Sequence, residues 1–166
     1  SLADEESAAQ VFVFYIAGNA TTTSLVAYTL YELTQNEELM ERAQKDIELT
    51  LANHNGELTY ESIMEMKFID LCTKESMRKY PGLPILNREC TKNYQVPGTK
   101  FTIQKGTAVV ISLLGIHRDE KYFPDPEKYD PDRFTPEKHA YDEDMYMPFG
   151  IGPRNCIGER DKNQKS

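Results

Sequence analysis

The chain has 166 residues and a net charge of −8 at pH 7, with 39% hydrophobic and 28% charged residues and 3 cysteines. That length supports one domain with a packed core. The acids are scattered, with neither a basic stripe nor an arginine-rich segment, which argues against nucleic acid as a partner.

Residues 4 to about 35 carry the three-and-four spacing of a long helix at positions 11, 14/15, 18, 22, 25/26, 29/30 and 33. The run Val11 to Ile16 is apolar all round, so this helix is expected to cross a protein core. The longest strictly apolar run, Val11 to Ala17, has seven residues against the ~20 of a membrane-spanning helix, so no span is expected. No signal peptide is visible. The start reads as mid-helix, which predicts a front part lying outside the chain.

Asn36 followed by Glu37 and Glu38 is a helix start, and Leu39/Met40, Ala43, Ile47 and Leu51 mark one face until Asn53-His54-Asn55-Gly56 ends it. Thr59 opens a short helical piece, and Phe68 to Tyr80 forms a further helix stopped by Pro81-Gly82. From Pro81 the composition changes to short β-branched runs at 88–92, 94–96, 101–103 and 107–113, read as a small sheet or a pair of hairpins. Residues 119–148 hold five prolines and aromatics such as Tyr122, Phe123, Tyr129 and Phe134, the mark of an irregular meander. The odd set Cys72, Cys90 and Cys156 points to a reducing compartment, with Cys72 and Cys90 read as inert packed thiols.

Phe149 to Gly158 reads FGIGPRNCIG: Cys156 framed by Gly150, Gly152 and Gly158, with Arg154 and Phe149 upstream. A cysteine sulfur that binds iron must be held as the thiolate, which a neighbouring arginine and backbone N–H groups aimed at the sulfur favour. Glycines let the backbone turn tightly and approach a flat ring, on which Phe149 could pack and exclude water. Taken alone, the same residues also suit a plain surface turn.

On the Phe68 to Tyr80 helix, the inward stripe Phe68, Leu71, Cys72 continues onto Glu75 and Arg78, predicting a buried ion pair. Arg133, within Pro131-Asp132-Arg133-Phe134, is the natural third member; an exposed i,i+3 pair is the alternative. Ala17-Gly18-Asn19-Ala20-Thr21-Thr22 forms a small-residue notch with a hydroxyl cluster in the long helix. Such a notch makes room for a flat cofactor or dioxygen, and a threonine bonded one turn back bends the helix; close packing at a helix crossing is the alternative.

Glu75-x-x-Arg78, Pro131-Asp132-Arg133-Phe134 and the Cys156 loop, in this order and spacing, resemble the cytochrome P450 family of haem-thiolate monooxygenases, from about residue 5 to about residue 160. The resemblance is greatest to insect microsomal members that oxidise foreign compounds. It implies a mainly α fold with a small β part, the C-terminal portion of the cytochrome P450 fold, as one partial domain over 1–166: helical at 4–80, β-rich at 88–113, with meander and haem loop at 119–158. It further implies haem b (iron protoporphyrin) with Cys156 as axial ligand, and Arg154, Arg88, Phe149, Gly150 and Gly158 as cofactor-binding residues. Glu75, Arg78 and Arg133 become a structural triad, and Thr21 the oxygen-side threonine. His117, at an expected strand end, is read as structural.

The implied reaction inserts one oxygen atom of O2 into a lipophilic small molecule, with electrons from NADPH-cytochrome P450 reductase docking near the thiolate side, where Lys74 and Lys79 offer cations; a solvated helix face is the alternative for those two lysines. The implied location is the cytosolic face of the endoplasmic reticulum membrane, attached through the N-terminal part. Two departures stand out: Ala20 replaces the acid usual before the threonine, and residues 159–166 are polar where the family continues into an apolar helix. Both favour the alternative, a catalytically inactive fragment or haem-binding pseudo-enzyme. A third reading, hydrolysis by Cys156 with His117 as base, lacks a triad framework.

Overall fold

A computed structural model describes residues 3–159. Four helices lead: α1 (Asp4–Thr34), α2 (Glu37–Asn53), α3 (Tyr60–Glu65) and α4 (Lys67–Lys79). Strands β1 (Leu86–Glu89), β2 (Tyr94–Gln95), β3 (Thr102–Ile103) and β4 (Ala108–Ile111) follow, then α5 (Leu113–His117) and single turns of 3-10 helix at Pro131–Phe134, Glu143–Met145 and Gly152–Arg154. The chain is mainly helical with two small antiparallel sheets.

The helix boundaries follow from local chemistry. Asn36 is extended, and its side chain accepts from Leu39 N at 3.2 Å, satisfying one orphan donor of α2. Thr59 and Ser62 exchange side-chain-to-backbone bonds across the first turn of α3. Helix α4 has no cap of its own; Asp46 of α2 accepts from Phe68 N at 2.8 Å and Ile69 N at 3.2 Å instead. At the other end of α4 the last-turn carbonyls of Arg78 and Lys79 are met from α5 and its C-cap, by His117 Nδ1 at 3.1 Å and Arg118 Nη2 at 3.2 Å.

Leu33 of α1, Leu39 and Ala43 of α2, Phe68 and Cys72 of α4 and Tyr129 of the meander make the core cluster. Tyr129 is tied in by its hydroxyl, which donates to Cys72 O at 2.7 Å and lies 3.0 Å from Ser76 Oγ. Ser76 also meets Thr29 of α1 at 2.8 Å. The meander is thereby stitched to both helices by a buried row of hydroxyls.

Several expectations need correction. Residues 11–16 of α1 do not cross a core among the described residues: they stay between 47% and 70% exposed, because only the C-terminal third of α1, around Thr29, Glu32 and Leu33, meets α2 and α4. Helix α1 is also long and apolar enough to cross a membrane, by length and composition only. A seven-residue run hid this, because small and hydroxylated residues dilute the apolar ones without adding charge.

The β run placed at 88–92 lies at 86–89, since Cys90 leaves the ladder to bond Thr107 O and accept from Gly106 N. Strand β1 pairs with β4, Leu86 opposite Ile111, and encloses the β2–β3 hairpin. The run placed at 107–113 stops at Ile111, where Ser112 accepts from Gly115 N at 3.3 Å and starts α5. His117 therefore ends a helix and not a strand.

Candidate functional site

Glu75, Arg78 and Arg133 meet in the interior, at 0%, 0% and 2% exposure. Glu75 and Arg78 lie one turn apart on α4, so the guanidinium grips the carboxylate in two bonds, Nε to Oε2 at 2.7 Å and Nη2 to Oε1 at 2.9 Å. The backbone N–H of Asp130 adds a third bond to Oε1 at 3.0 Å. Arg78 spends its remaining donors on His117 O and Pro126 O, both at 2.8 Å.

Arg133 approaches Glu75 Oε2 with its Nε at 3.6 Å, near enough for charge attraction and too far for a hydrogen bond. Its outer nitrogens donate to Pro124 O at 2.6 Å, Ala140 O at 3.2 Å and Asp125 O at 3.3 Å. Two guanidinium groups thus hold at least five backbone carbonyls of α5 and the meander around one carboxylate. The cluster fixes the path of a segment too poor in regular structure to fix itself.

His117 is fully buried at the same junction. Its Nδ1 faces the carbonyl of Arg78 and its Nε2 accepts from Met147 N at 3.3 Å, so the proton sits on Nδ1. Desolvation by burial pushes its pKa down to about 4. Phe123 meets the ring edge-on and Tyr146 stacks on it at 5.7 Å. A neutral, enclosed imidazole with both nitrogens bonded has no capacity left as a base for Cys156.

The loop ends in the open. Cys156 is exposed, and its Sγ receives the Gly158 N–H at 3.4 Å, while its own N–H donates to Phe149 O at 2.8 Å. Gly150 and Gly152 have φ of 75° and 80°, which a side chain would strain. A Cβ on Gly158 would stand 3.6 Å from the sulfur. Phe149 is 37% exposed beside it. The donor set fits a thiolate-ligated haem: an accessible sulfur, an N–H aimed at it, and a backbone bare of side chains at the turns.

Arg88 and Arg154 are both exposed. Arg88 donates to Asn87 O at 2.9 Å, and neither arginine has a carboxylate partner among the described residues. Their guanidinium forks are open to a ligand carboxylate. Thr21 is exposed on α1 and its hydroxyl donates to Ala17 O at 2.8 Å, one turn back. The Pro81-Gly82 turn passes over it, so that a Cβ on Gly82 would meet Thr21 Cγ2 at 3.3 Å.

The cations expected to face a partner are engaged inside the chain. Lys74 pairs with Asp70 at 2.5 Å, and Lys79 reaches inward to Glu32 at 2.9 Å with 13% of its side chain exposed. Cys72 is buried, and desolvation raises its thiol to about 12. Cys90 is half-buried, with its Sγ 2.9 Å from Lys92 O.

Sequence reasoning missed Arg42 and Asp132, a two-bond pair joining α2 to the Pro131–Phe134 turn, and Asp46, the remote cap of α4. Asp46 stands three residues after the core alanine Ala43, an acid beside an inward stripe; that signal was available. The tail read as polar at 159–166 lies outside the described residues beyond Glu159.

The Cytochrome P450 family matches residues 1–160. The chain is 57% identical over 156 residues to the probable cytochrome P450 6d4 of Drosophila melanogaster, covering 94% of this chain and 30% of that protein. It is 54% identical over 157 residues to cytochrome P450 6d3 of Musca domestica, covering 92% and 30%, and 41% identical over 163 residues to cytochrome P450 6l1 of Blattella germanica, covering 96% and 32%. It spans about a third of the length of these relatives. With a match to the family over nearly its whole length, and with an accessible cysteine in a glycine-turned loop behind a buried Glu–Arg pair, the chain belongs to the cytochrome P450 family.

Proposed function

We propose that this chain is the haem-binding C-terminal part of a haem-thiolate monooxygenase that inserts one oxygen atom of O2 into a lipophilic small molecule. The observation that carries this reading is the exposed Cys156 sulfur with the Gly158 N–H directed at it, at the end of a segment braced on Glu75, Arg78 and Arg133. Haem b, when bound, supplies the activation of O2 and the oxidising power. The chain's share is to hold and tune it.

Cys156 is the iron ligand, and the Gly158 N–H stabilises negative charge on its sulfur. Arg88 and Arg154 pair with the propionates, and Phe149 covers the ring beside the sulfur against water. Gly150 and Gly158, bare of side chains, would let the backbone approach the ring. Thr21, whose hydroxyl is tied to Ala17 O, would be the oxygen-side threonine and would orient a water as a proton source there. Helical residues 4–80, β-rich residues 88–113 and the loop at 119–158 act as one partial domain in this scheme, anchored in the endoplasmic reticulum membrane, facing the cytosol, through an N-terminal part. Electrons come from NADPH-cytochrome P450 reductase.

One observation favours a second reading, a haem-binding protein with little oxygenase activity: Ala20 offers no proton where an acid is usual before Thr21. The reduced, carbon monoxide-treated spectrum tests the first reading. A red-shifted Soret band that vanishes in Cys156→Ala is expected, and absence of haem uptake would sink it; turnover with reductase and NADPH then separates the two.

A further inference from the structure

Among the described residues, His117 links two parts of the molecule through side-chain bonds at both ring nitrogens. Through Nδ1 it caps the carbonyl of Arg78, the last buried residue of α4, and Arg78 returns a bond from Nη1 to His117 O. Through Nε2 it accepts the N–H of Met147. From Met147 the backbone leads straight into the cysteine loop: Met147 O accepts from Gly150 N at 2.9 Å, and Phe149 O accepts from Cys156 N at 2.8 Å. An unbroken series of short bonds therefore runs from the end of α4, through one imidazole, to the amide of the ligand cysteine.

Another tie between these parts, from Tyr146 Oη to Lys74 O at 3.0 Å, acts through a side chain and makes no bond to the Met147 backbone. His117 holds that backbone itself. The ring is fully buried between Phe123 and Tyr146 and has one orientation and one tautomer.

We propose that His117 is a positioning residue for the thiolate ligand, latching the Met147 amide so that the turn into Cys156 keeps its height and orientation above the end of α4. This rests on the haem-thiolate reading of Cys156. A residue that sets a ligand's backbone acts on the metal bond without touching it, and loss of such support commonly costs about 10-fold or more in metal affinity or activity.

The two nitrogens have separable jobs, and that makes the latch testable. Asn at 117 reaches the Nδ1 position and preserves the α4 cap but cannot reach Met147. Gln reaches the Nε2 position and preserves the acceptor for Met147 but not the cap. The experiment compares haem-loaded full-length protein as wild type, His117→Gln, His117→Asn and His117→Phe, by the reduced carbon monoxide spectrum and by amide exchange over Tyr146–Gly150.

Gln is expected to keep the red-shifted thiolate band and the slow Met147 amide. Asn and Phe are expected to move the larger share of signal to the unshifted band and to expose that amide. A role confined to capping α4 gives the reverse order, Asn above Gln. Retention of the thiolate band in Asn, or equal loss in Asn and Gln, overturns the proposal. A wild type with no thiolate band overturns the functional reading and the latch with it, an outcome distinct from a normal wild type with unaffected variants.

Discussion

Arg42 and Asp132 face each other fork to fork, Nη1 to Oδ2 at 2.9 Å and Nη2 to Oδ1 at 2.5 Å, across ninety residues of sequence. The pair fastens α2 to the turn that carries Arg133, and Arg42 lies 4.1 Å above the Phe68 ring as it does so. The hydrogen bond from Arg42 holds the Asp132 carboxyl below its ordinary value. Both side chains are 37% exposed, so solvent screens the pair. A double-mutant cycle of Arg42→Ala and Asp132→Asn, read by denaturant unfolding, should give a coupling of no more than about 1 kcal/mol at pH 7. Because the folded carboxyl is the more acidic, that coupling is present at neutral pH and fades as pH falls below 3.8.

Breaking the interior pair is a different matter. Glu75→Gln leaves two guanidinium groups without their anion in a fully buried site, and Arg78→Met leaves the carboxylate with Asp130 N as its close donor. Each should cost roughly 3–5 kcal/mol of folding free energy. Denaturant midpoints measure the loss, and a Glu75→Gln protein as stable as the Asp132→Asn one would refute the importance of the cluster.

Acid should act first through His117. Its folded pKa of about 4 lies below the ordinary value of 6.5, so the unfolded chain binds the extra proton more readily. Stability contributed by the neutral ring is complete above about pH 6.5 and declines as pH falls towards 4, by on the order of 3 kcal/mol. Desolvation dominates that shift: the Arg78 carbonyl, which accepts from the ring, works against it, and the Arg78 charge facing the ring adds the smaller contribution in the same direction as burial. A stability profile between pH 7 and 4 should show this slope, flattened in His117→Gln.

The cysteines should sort by accessibility in haem-free protein. A maleimide at pH 8 is expected to label exposed Cys156 fastest, half-buried Cys90 more slowly, and Cys72 only after denaturation, since burial both hides that thiol and raises it to about 12. Peptide mapping over a time course reads the order. Protection of Cys156 on adding haem would follow from the proposed ligation.

Restoring an acid beside Thr21 tests the weak point of the oxygenase reading. Ala20→Asp places a proton source one residue before the proposed oxygen-side hydroxyl, on an exposed stretch of α1 that accepts it without burial. Product formed per NADPH consumed should rise several-fold, with the carbon monoxide spectrum unchanged. An unchanged ratio would remove the proton-delivery explanation for Ala20.

The elements most legible in the chain were those whose signals are local. Asn36 and Thr59 announce helix starts because their side chains satisfy donors three residues on, and Pro81-Gly82 announces a stop because proline cannot continue the ladder. Glu75 and Arg78 were legible as inward-facing because the Phe68 and Cys72 stripe points the same way at helical spacing. Cys156 stood out through the glycines around it, whose positive φ values at 150 and 152 demand that residue type.

Long-range partners left no such trace. Asp46 stands out as an acid beside an inward stripe, yet that position does not name the helix twenty-two residues away that it caps, and nothing near His117 says that a five-residue helix will bury it between Arg78 and Met147. The sequence by itself determined the starts of α2 and α3, the stop after α4, the buried side of α4 and the glycine-turned cysteine loop, since each depends on residues within a few positions of one another. Only the tertiary structure decided which carbonyls the two guanidinium groups hold, which part of α1 is covered, and which lysines are already paired. Those outcomes depend on distances between segments far apart in the chain, and no local pattern encodes them.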